Sequence, residues 1–445
     1  MVAKGDGRVK NIKFGRVKCN AEQITMIICT IVVFLAQISE KSHSNAIMMI
    51  GYLMALLLAF VSDQSMLMAM NLFFLSDNSI LDVGGISIQL VIMCIYLIRF
   101  SILRRGAIYG KIFLAGLLIA GYSIIYIDLG VGYVLQGTKL AAMIIFMTEY
   151  FSEEGSMTRS NYKKQLSFAV MGVFLSVVAA ICVNPTMLLS ARIALSEDSN
   201  WNLLGILSAL LFSHSFMMCF IERSNGNRYI MYSAFMAVCA LISTSRTALL
   251  VAAIGTIWTL LFINENGTIA RKGIVFLGIV LILVLIANGT IQISFVDKLV
   301  DRIVNPRRGD VSNGRFTLWA GYIEYLKSHK ITLWFGYGRT LIEGIKTTTS
   351  SMSNMAHNML IEQVTMYGIV GTLIVVNLYL TSVKRIAWTT HSKVVTLKKK
   401  YIVGILLVFV AGMFSHVITS VLVTTELYLG LMQYIVLNIK EDTAG

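Results

Sequence analysis

The sequence contains few prolines and few charged residues. Only two of its 445 residues are proline, Pro185 and Pro306, and charged residues make up 13%. It has no Gly/Ser-rich or acidic tract of the kind that forms flexible linkers and disordered tails. We therefore expect residues 1–445 to form a single domain.

Cysteine is also rare, and its spacing matches no redox or metal-binding motif. The cysteines lie singly along the chain, without Cys-x-x-Cys or Cys/His metal spacing, at Cys19, Cys29, Cys94, Cys182, Cys219 and Cys239. We interpret them as small apolar packing residues.

Several common catalytic signatures are missing. The sequence has no Gly-x-x-x-x-Gly-Lys-Ser/Thr loop for ATP, no His-Glu-x-x-His, no Gly-x-Ser-x-Gly and no Asp-x-Asp. These absences argue against ATP-driven transport, zinc proteolysis, serine hydrolysis and a metal-held nucleotide donor. We expect neither a metal nor another cofactor.

The chain is instead rich in apolar residues, which make up 56% of it, and its mean hydropathy is +0.75. These values indicate an integral membrane protein. A bilayer requires about 20 apolar residues per helix. Thirteen apolar runs meet or approach this length, and a shorter one lies at 64–76. The thirteen runs are 23–38, 46–61, 84–101, 111–127, 131–151, 165–183, 202–220, 229–245, 247–263, 274–293, 357–380, 401–420 and 423–439. The predicted fold class is all-α and polytopic, with 13 to 14, and most simply about 14, transmembrane helices.

The net charge of +14 fits either nucleic-acid binding or cytoplasmic loops. If residues 64–76 cross the membrane, 24 of the 37 basic residues fall on the side of the basic N-terminus, 1–22. The basic loop 384–400 lies on that side as well. This distribution obeys the positive-inside rule, so it predicts cytoplasmic termini and a retained N-terminal signal anchor. It also removes the support for a nucleic-acid partner.

Residues 294–356 form one long loop on the predicted outer side. This loop carries nine basic and five acidic residues, so either it is an ordinary solvated loop or it binds an anion. Within it, Phe316, Trp319, Ile323 and Leu326 recur at helical spacing. We expect an amphipathic helix over residues 315–328, lying on the outer membrane surface.

Three titratable residues near the predicted outer side are candidates for chemistry. Arg246 stands between two apolar runs, where it either snorkels to the interface or neutralises a buried anion. Lys139, inside a span, is a second candidate phosphate contact or a snorkelling lysine. His357, where the basic loop ends, is either structural or a base near neutral pH.

Three motifs resemble those of the O-antigen ligase and Wzy-type polysaccharide polymerase family. They are Ser-Arg-Thr-Ala-Leu-Leu at 245–250, Gly-Arg-Phe-Thr-Leu-Trp at 314–319 with Phe-Gly-Tyr-Gly at 335–338, and His-Asn at 357–358 with Gly368 and Gly371. Family members often carry an acidic residue two positions before the helix glycine, where this chain has Met366. The resemblance covers about residues 243–371.

The resemblance implies a GT-C-like membrane glycosyltransferase of the bacterial inner (plasma) membrane. Its donor would be an undecaprenyl-diphosphate-linked oligosaccharide, used without a metal on the extracytoplasmic side. Carried over to this chain, Arg246 and Arg315 would bind the diphosphate and His357 would be the catalytic base. Further candidate substrate contacts are Asn358, Trp319, Lys139 and Arg339, of which Arg339 is not a position of the family pattern.

The favoured function is a polymerase of O-antigen, capsule or exopolysaccharide, working with a flippase, a chain-length regulator and membrane lipids as partners. A ligase of the same family, which transfers the chain to lipid A-core, has the same motifs. A flippase or transporter of the lipid-linked unit is a third hypothesis, although no internal repeat relates the two halves. A polytopic protein without catalysis is the fourth.

Overall fold

The computed structural model describes residues 12–14, 17–76, 82–83, 86–102, 108–124, 131–153, 155–188, 201–222, 226–243, 245–263, 315–336, 356–390, 398–414 and 421–439. These residues are mainly helical. Two short antiparallel strand pairs join Ile12–Phe14 to Val17–Cys19 and Asp82–Val83 to Ile86–Ser87.

Fifteen α-helices occur in the described residues. They are α1 (Ala21–Ser42), α2 (Asn45–Val61), α3 (Gln64–Phe73), α4 (Ile88–Tyr96), α5 (Gly110–Ile124), α6 (Val131–Ser152), α7 (Arg159–Val183), α8 (Trp201–Ile221), α9 (Gly226–Ile242), α10 (Arg246–Phe262), α11 (Arg315–Ser328), α12 (Lys330–Phe335), α13 (Met359–Thr390), α14 (Val403–Met413) and α15 (Val421–Val436). Short 3₁₀ or π segments lie at Phe74–Ser76, Leu97–Ile102, Pro185–Leu188 and Lys399–Ile402.

Four of these helices are long and apolar enough to span a membrane. They are Ala21–Ser42, Arg159–Val183, Asn202–Ile221 and Met359–Thr390, and four shorter apolar helices accompany them in the described residues. The prediction of an α-helical membrane protein is confirmed at this level. Each predicted span has a helix at its position except 274–293, which lies outside the described residues. The number of crossings stays a prediction.

The short segment 64–76 forms a helix that is buried among other helices. Helix α3 has ten residues, which is about 15 Å and only half of a bilayer core. All of its residues from Met66 to Phe73 are buried, because α7 and α4 pack against it. A helix enclosed by other helices need not match the thickness of the lipid.

Polar side chains join helices inside the bundle. His214 of α8 lies 2.7 Å from Gln433 Oε1 of α15 through its Nδ1, and Thr148 of α6 lies 2.5 Å from Ser382 of α13 through the two hydroxyl oxygens. All four side chains are buried. Hydrogen bonds of this kind hold helices together where lipid offers no hydrophobic driving force.

Helix α11 has the predicted bounds, but its apolar face is divided. Phe316 is 65% exposed and Ile323 is 44% exposed, whereas Tyr322 and Leu326 are buried. The face that carries Tyr322 and Leu326 packs against α13 and α12. The helix therefore has one face against the protein and a second apolar face, with Phe316 and Ile323, directed outward. Its location on the outer membrane surface stays a prediction.

Candidate functional site

Arg246 is the first residue of α10, after a short turn from α9. The side chain of Ser245 accepts the backbone N–H of Ala248 at 3.4 Å and caps the helix, while Ser243 Oγ donates to Ala240 O at 2.7 Å. The serines of this motif thus form hydrogen bonds with backbone groups at the two helix ends. Arg246 is half-buried at the N-terminus of α10. A cation at the positive end of a helix dipole is unfavourable by about 0.3 to 1 kcal/mol. A bound anion would offset this cost.

Arg315 occupies the same position in a second helix, because it is the first residue of α11. Burial lowers the pKa of its guanidinium, and the charge of Arg246 lowers it further. The two arginines are therefore near enough for their charges to interact. Guanidinium groups remain protonated in proteins, so this pair places two interacting positive charges at the starts of two helices.

His357 lies immediately before α13 with its backbone in the left-handed region, at φ +52°. This conformation costs a non-glycine residue about 1 to 2 kcal/mol. Burial lowers the pKa of the imidazole, and the charge of Arg315 lowers it further. The ring is therefore neutral near pH 7 and lies close to Arg315.

The two residues beside His357 are also fixed by side chains. Trp319 Nε1 donates to the carbonyl oxygen of Ala356 at 2.7 Å. The side chain of Asn358 accepts the N–H groups of Leu360 at 3.0 Å and Ile361 at 3.2 Å, so it caps α13. The segment that presents His357 is thus held firmly on both sides.

Glu362 completes this arrangement, and sequence reasoning did not identify it. Its Oε1 accepts the backbone N–H of His357 at 2.7 Å, and the residue is only 5% exposed. Burial raises the pKa of Tyr322 in α11 to about 12, and the charge of Glu362 contributes to this shift. An acidic residue in the first turn after His-Asn was the available signal, but the family pattern directed attention to Met366 instead.

The glycines of two motifs meet through their backbones. Gly336 at φ +78° follows α12, and Gly368 at φ +65° interrupts the helical geometry of α13. A Cβ on Gly336 would lie 2.6 Å from Gly368 N, and one on Gly368 would lie 2.5 Å from Gly336 N. Neither position has room for a side chain, so α12 is seated directly on the interruption in α13.

Tyr122, at the end of α5, joins this contact. Its hydroxyl lies 2.7 Å from Phe335 O and 2.9 Å from Tyr367 O, the carbonyls that precede the two glycines. No motif indicated this tyrosine, because its partners are more than two hundred residues away in sequence. It connects α5 to the end of α12 and to α13.

The charge of Arg246 acts on Arg315, and the charge of Arg315 acts on His357. Trp319 and Asn358 hold the backbone before and after the histidine. Lys139 lies half-buried in α6, and no contact among the described residues joins it to the two arginines or His357. Arg339 falls outside the described residues, so its predicted substrate contact stays a prediction.

Comparison with known proteins supports the same part of the chain. The comparison with curated proteins gave no match. Residues 231–376 match the family model described as O-antigen ligase (Wzy_C), a segment that contains Arg246, Arg315, His357, Asn358 and Gly368. Residues 231–376 therefore carry an O-antigen ligase family domain, which confirms the resemblance that the sequence motifs indicated.

Proposed function

We propose that the protein is an inverting, metal-independent glycosyltransferase. It would move a glycan chain from undecaprenyl diphosphate to the non-reducing end of a lipid-linked repeat unit, as a polymerase of O-antigen, capsule or exopolysaccharide. The observation that supports this function best is the neutral His357 beside Arg315 and Arg246, inside the O-antigen ligase family segment.

The reaction is a single displacement. His357 takes the proton from an acceptor sugar hydroxyl as that oxygen attacks the anomeric carbon of the donor. The bond from that carbon to the diphosphate oxygen breaks, and its electron pair leaves with the lipid diphosphate. One displacement inverts the anomeric centre and requires a base but no protein nucleophile.

The two arginines supply the electrostatic part of the reaction. Negative charge grows on the diphosphate as the bond breaks, and guanidinium groups placed beforehand stabilise it. Arg246 and Arg315 begin two helices, so the backbone N–H groups of both first turns add positive potential. Planar guanidinium groups also fit phosphate oxygens in pairs, which a lysine cannot do.

The base must be unprotonated to act. Burial and Arg315 both disfavour the imidazolium of His357, so the neutral form predominates at neutral pH. The left-handed backbone at this residue is a strained conformation of the kind found at functional sites.

The topology of the sequence analysis is part of the proposal. We place about 14 spans in the bacterial plasma membrane, with both termini in the cytoplasm and residues 294–356 outside. Helix α13 extends to Thr390 and so contains the first residues of the predicted loop 384–400. Single cysteines introduced at Ser199, in a proposed outer loop, and at Thr396, after α13 on the proposed cytoplasmic side, test the topology in a variant without native cysteines. A membrane-impermeant thiol reagent on intact cells should label the first and leave the second unlabelled.

The decisive experiment uses purified protein and undecaprenyl-diphosphate-linked repeat units in detergent. Wild type should produce a polymer ladder, and His357→Ala and Arg315→Ala should not. His329→Ala and Lys327→Ala are matched controls at exposed positions of the same region and should retain the ladder. If both site variants polymerise normally, the proposed function is wrong.

The acceptor distinguishes the polymerase from the ligase. Both reactions require the same donor contacts and the same base. A ladder from lipid-linked units alone indicates the polymerase. Transfer only after lipid A-core is added indicates the ligase.

A further inference from the structure

The backbone that presents His357 is held by two side chains that the proposed chemistry does not use. Trp319 bonds the carbonyl oxygen of Ala356, and Glu362 bonds the N–H of His357, each at 2.7 Å. These contacts lie on the two sides of one peptide unit, the Ala356–His357 peptide. A peptide gripped at both its oxygen and its nitrogen cannot rotate.

We propose that Trp319 and Glu362 are positioning residues that clamp this peptide and so aim the imidazole of His357 at the acceptor beside Arg315. The inference rests on the proposed function, since it assumes that His357 is the base. It changes the role expected for Trp319, from a substrate contact to a residue that acts through His357.

The clamp ties the base to the donor site because Trp319 shares a helix with Arg315. Residues four apart lie on the same face of a helix, so α11 directs Arg315 and the indole of Trp319 to the same side. Through Ala356, the indole fixes the position of His357 relative to Arg315. Phe414 packs near the Trp319 ring, with centroids 6.4 Å apart, and supports it from the end of α14.

The hydrogen bond of Glu362 to His357 is not needed to cap α13. Asn358 already caps α13 by accepting two N–H groups of its first turn. Glu362 reaches back past that cap to the N–H of His357, the residue with the left-handed backbone. Tyr322 of α11 lies near its carboxylate, so both halves of the clamp adjoin the same helix.

Conservative variants test the clamp. Trp319→Phe keeps an aromatic ring but removes the N–H donor, and Glu362→Met keeps the length but removes the acceptor. Glu362→Gln keeps an acceptor oxygen without charge. We expect the first two to lower kcat by about 10- to 100-fold, since a misplaced catalytic group costs up to about that much, with the donor KM within about 2-fold. Glu362→Gln should stay within about 3-fold of wild type in kcat, because its amide oxygen still accepts the N–H.

The pH profile gives a second readout, which reports on the surroundings of the His357 ring. In wild type, burial and Arg315 hold the pKa of His357 below its ordinary value. Releasing the peptide lets the ring move away from Arg315, so the acid limb of kcat/KM should shift to higher pH in Trp319→Phe. Trp334→Phe and Glu324→Met are controls at exposed positions and should leave the limb unchanged.

Each outcome has one meaning. If Trp319→Phe and Glu362→Met keep the kcat and acid limb of wild type while His357→Ala is inactive, the clamp is refuted and the proposed function stands. If Glu362→Gln loses as much kcat as Glu362→Met, the carboxylate acts by charge and the backbone clamp is also refuted. If His357→Ala is active, the proposed function itself fails. Thermal melting of each variant confirms that it is folded.

Discussion

Replacing Gly368 by alanine should destabilise the protein through one backbone contact. At φ +65° and ψ −177°, Gly368 occupies a region that is essentially restricted to glycine, and other residues there cost about 1 to 3 kcal/mol. The new Cβ would also lie 2.5 Å from Gly336 N and closer still to Trp334 O. Overpacking against atoms that cannot move easily costs about 1 to 3 kcal/mol more. The expected loss is about 2 to 6 kcal/mol.

The measurement is the apparent Tm of purified protein in detergent. For a chain of this length, 1 kcal/mol corresponds to about 1 to 2 °C, so Gly368→Ala should lower Tm by about 2 to 12 °C. Gly121→Ala is the matched control, since a Cβ at Gly121 meets nothing within 4 Å and alanine favours a helix by about 0.5 to 1 kcal/mol. Its Tm should be unchanged or slightly higher. A Gly368→Ala protein that melts with wild type would refute the proposed contact between α12 and α13.

Three further predictions concern the site and the bundle. The rate of polymer formation should fall as the pH is lowered, with a midpoint below pH 6.5, because burial and Arg315 lower the pKa of His357. A pH–rate profile measures this midpoint, and a value above pH 6.5 would contradict the prediction. Arg315→Lys should raise donor KM and lower kcat, each by about 10-fold, because a lysine cannot form the paired contact with phosphate; steady-state kinetics would show wild-type values if charge alone mattered. His214→Ala should cost about 1 to 3 kcal/mol, because it leaves Gln433 buried without this hydrogen bond; thermal melting checks it, and an unchanged Tm would contradict it.

The local parts of the fold could be predicted well from the sequence. Helix α11 has the bounds that apolar spacing and the motif indicated, and the span at 64–76 corresponds to α3 and the 3₁₀ turn after it. In each case the information lies within about fourteen consecutive residues. Hydrophobic periodicity is strongest over such distances.

Orientation of a helix face was harder to predict. Spacing placed Phe316, Trp319, Ile323 and Leu326 on one apolar face lying on the membrane surface. In the structure Leu326 is buried against the protein, whereas Phe316 and Ile323 are exposed. Tyr322 takes the inward position, because a tyrosine can bury its ring against α13. Periodicity cannot determine which of two adjoining apolar stripes faces the protein.

The charged residues of the candidate site followed from motifs, but their supports did not. Arg246, Arg315 and His357 each stand in a recognisable short pattern. Glu362 and Tyr122 act on backbone atoms, and a backbone atom leaves no mark on residue identity at the other end of the contact. For Tyr122 those atoms belong to residues 335 and 367.

The two arginines, each at the start of a helix, also bear on product release. If the protein transfers glycans as proposed, the spent carrier would bear more charge on its terminal phosphate than the donor did, and the same cations would hold it more tightly. Departure of the carrier would then limit turnover, and accumulated undecaprenyl diphosphate would act as an inhibitor. The rate of glycan synthesis would in that way depend on how quickly the cell recycles its lipid carrier.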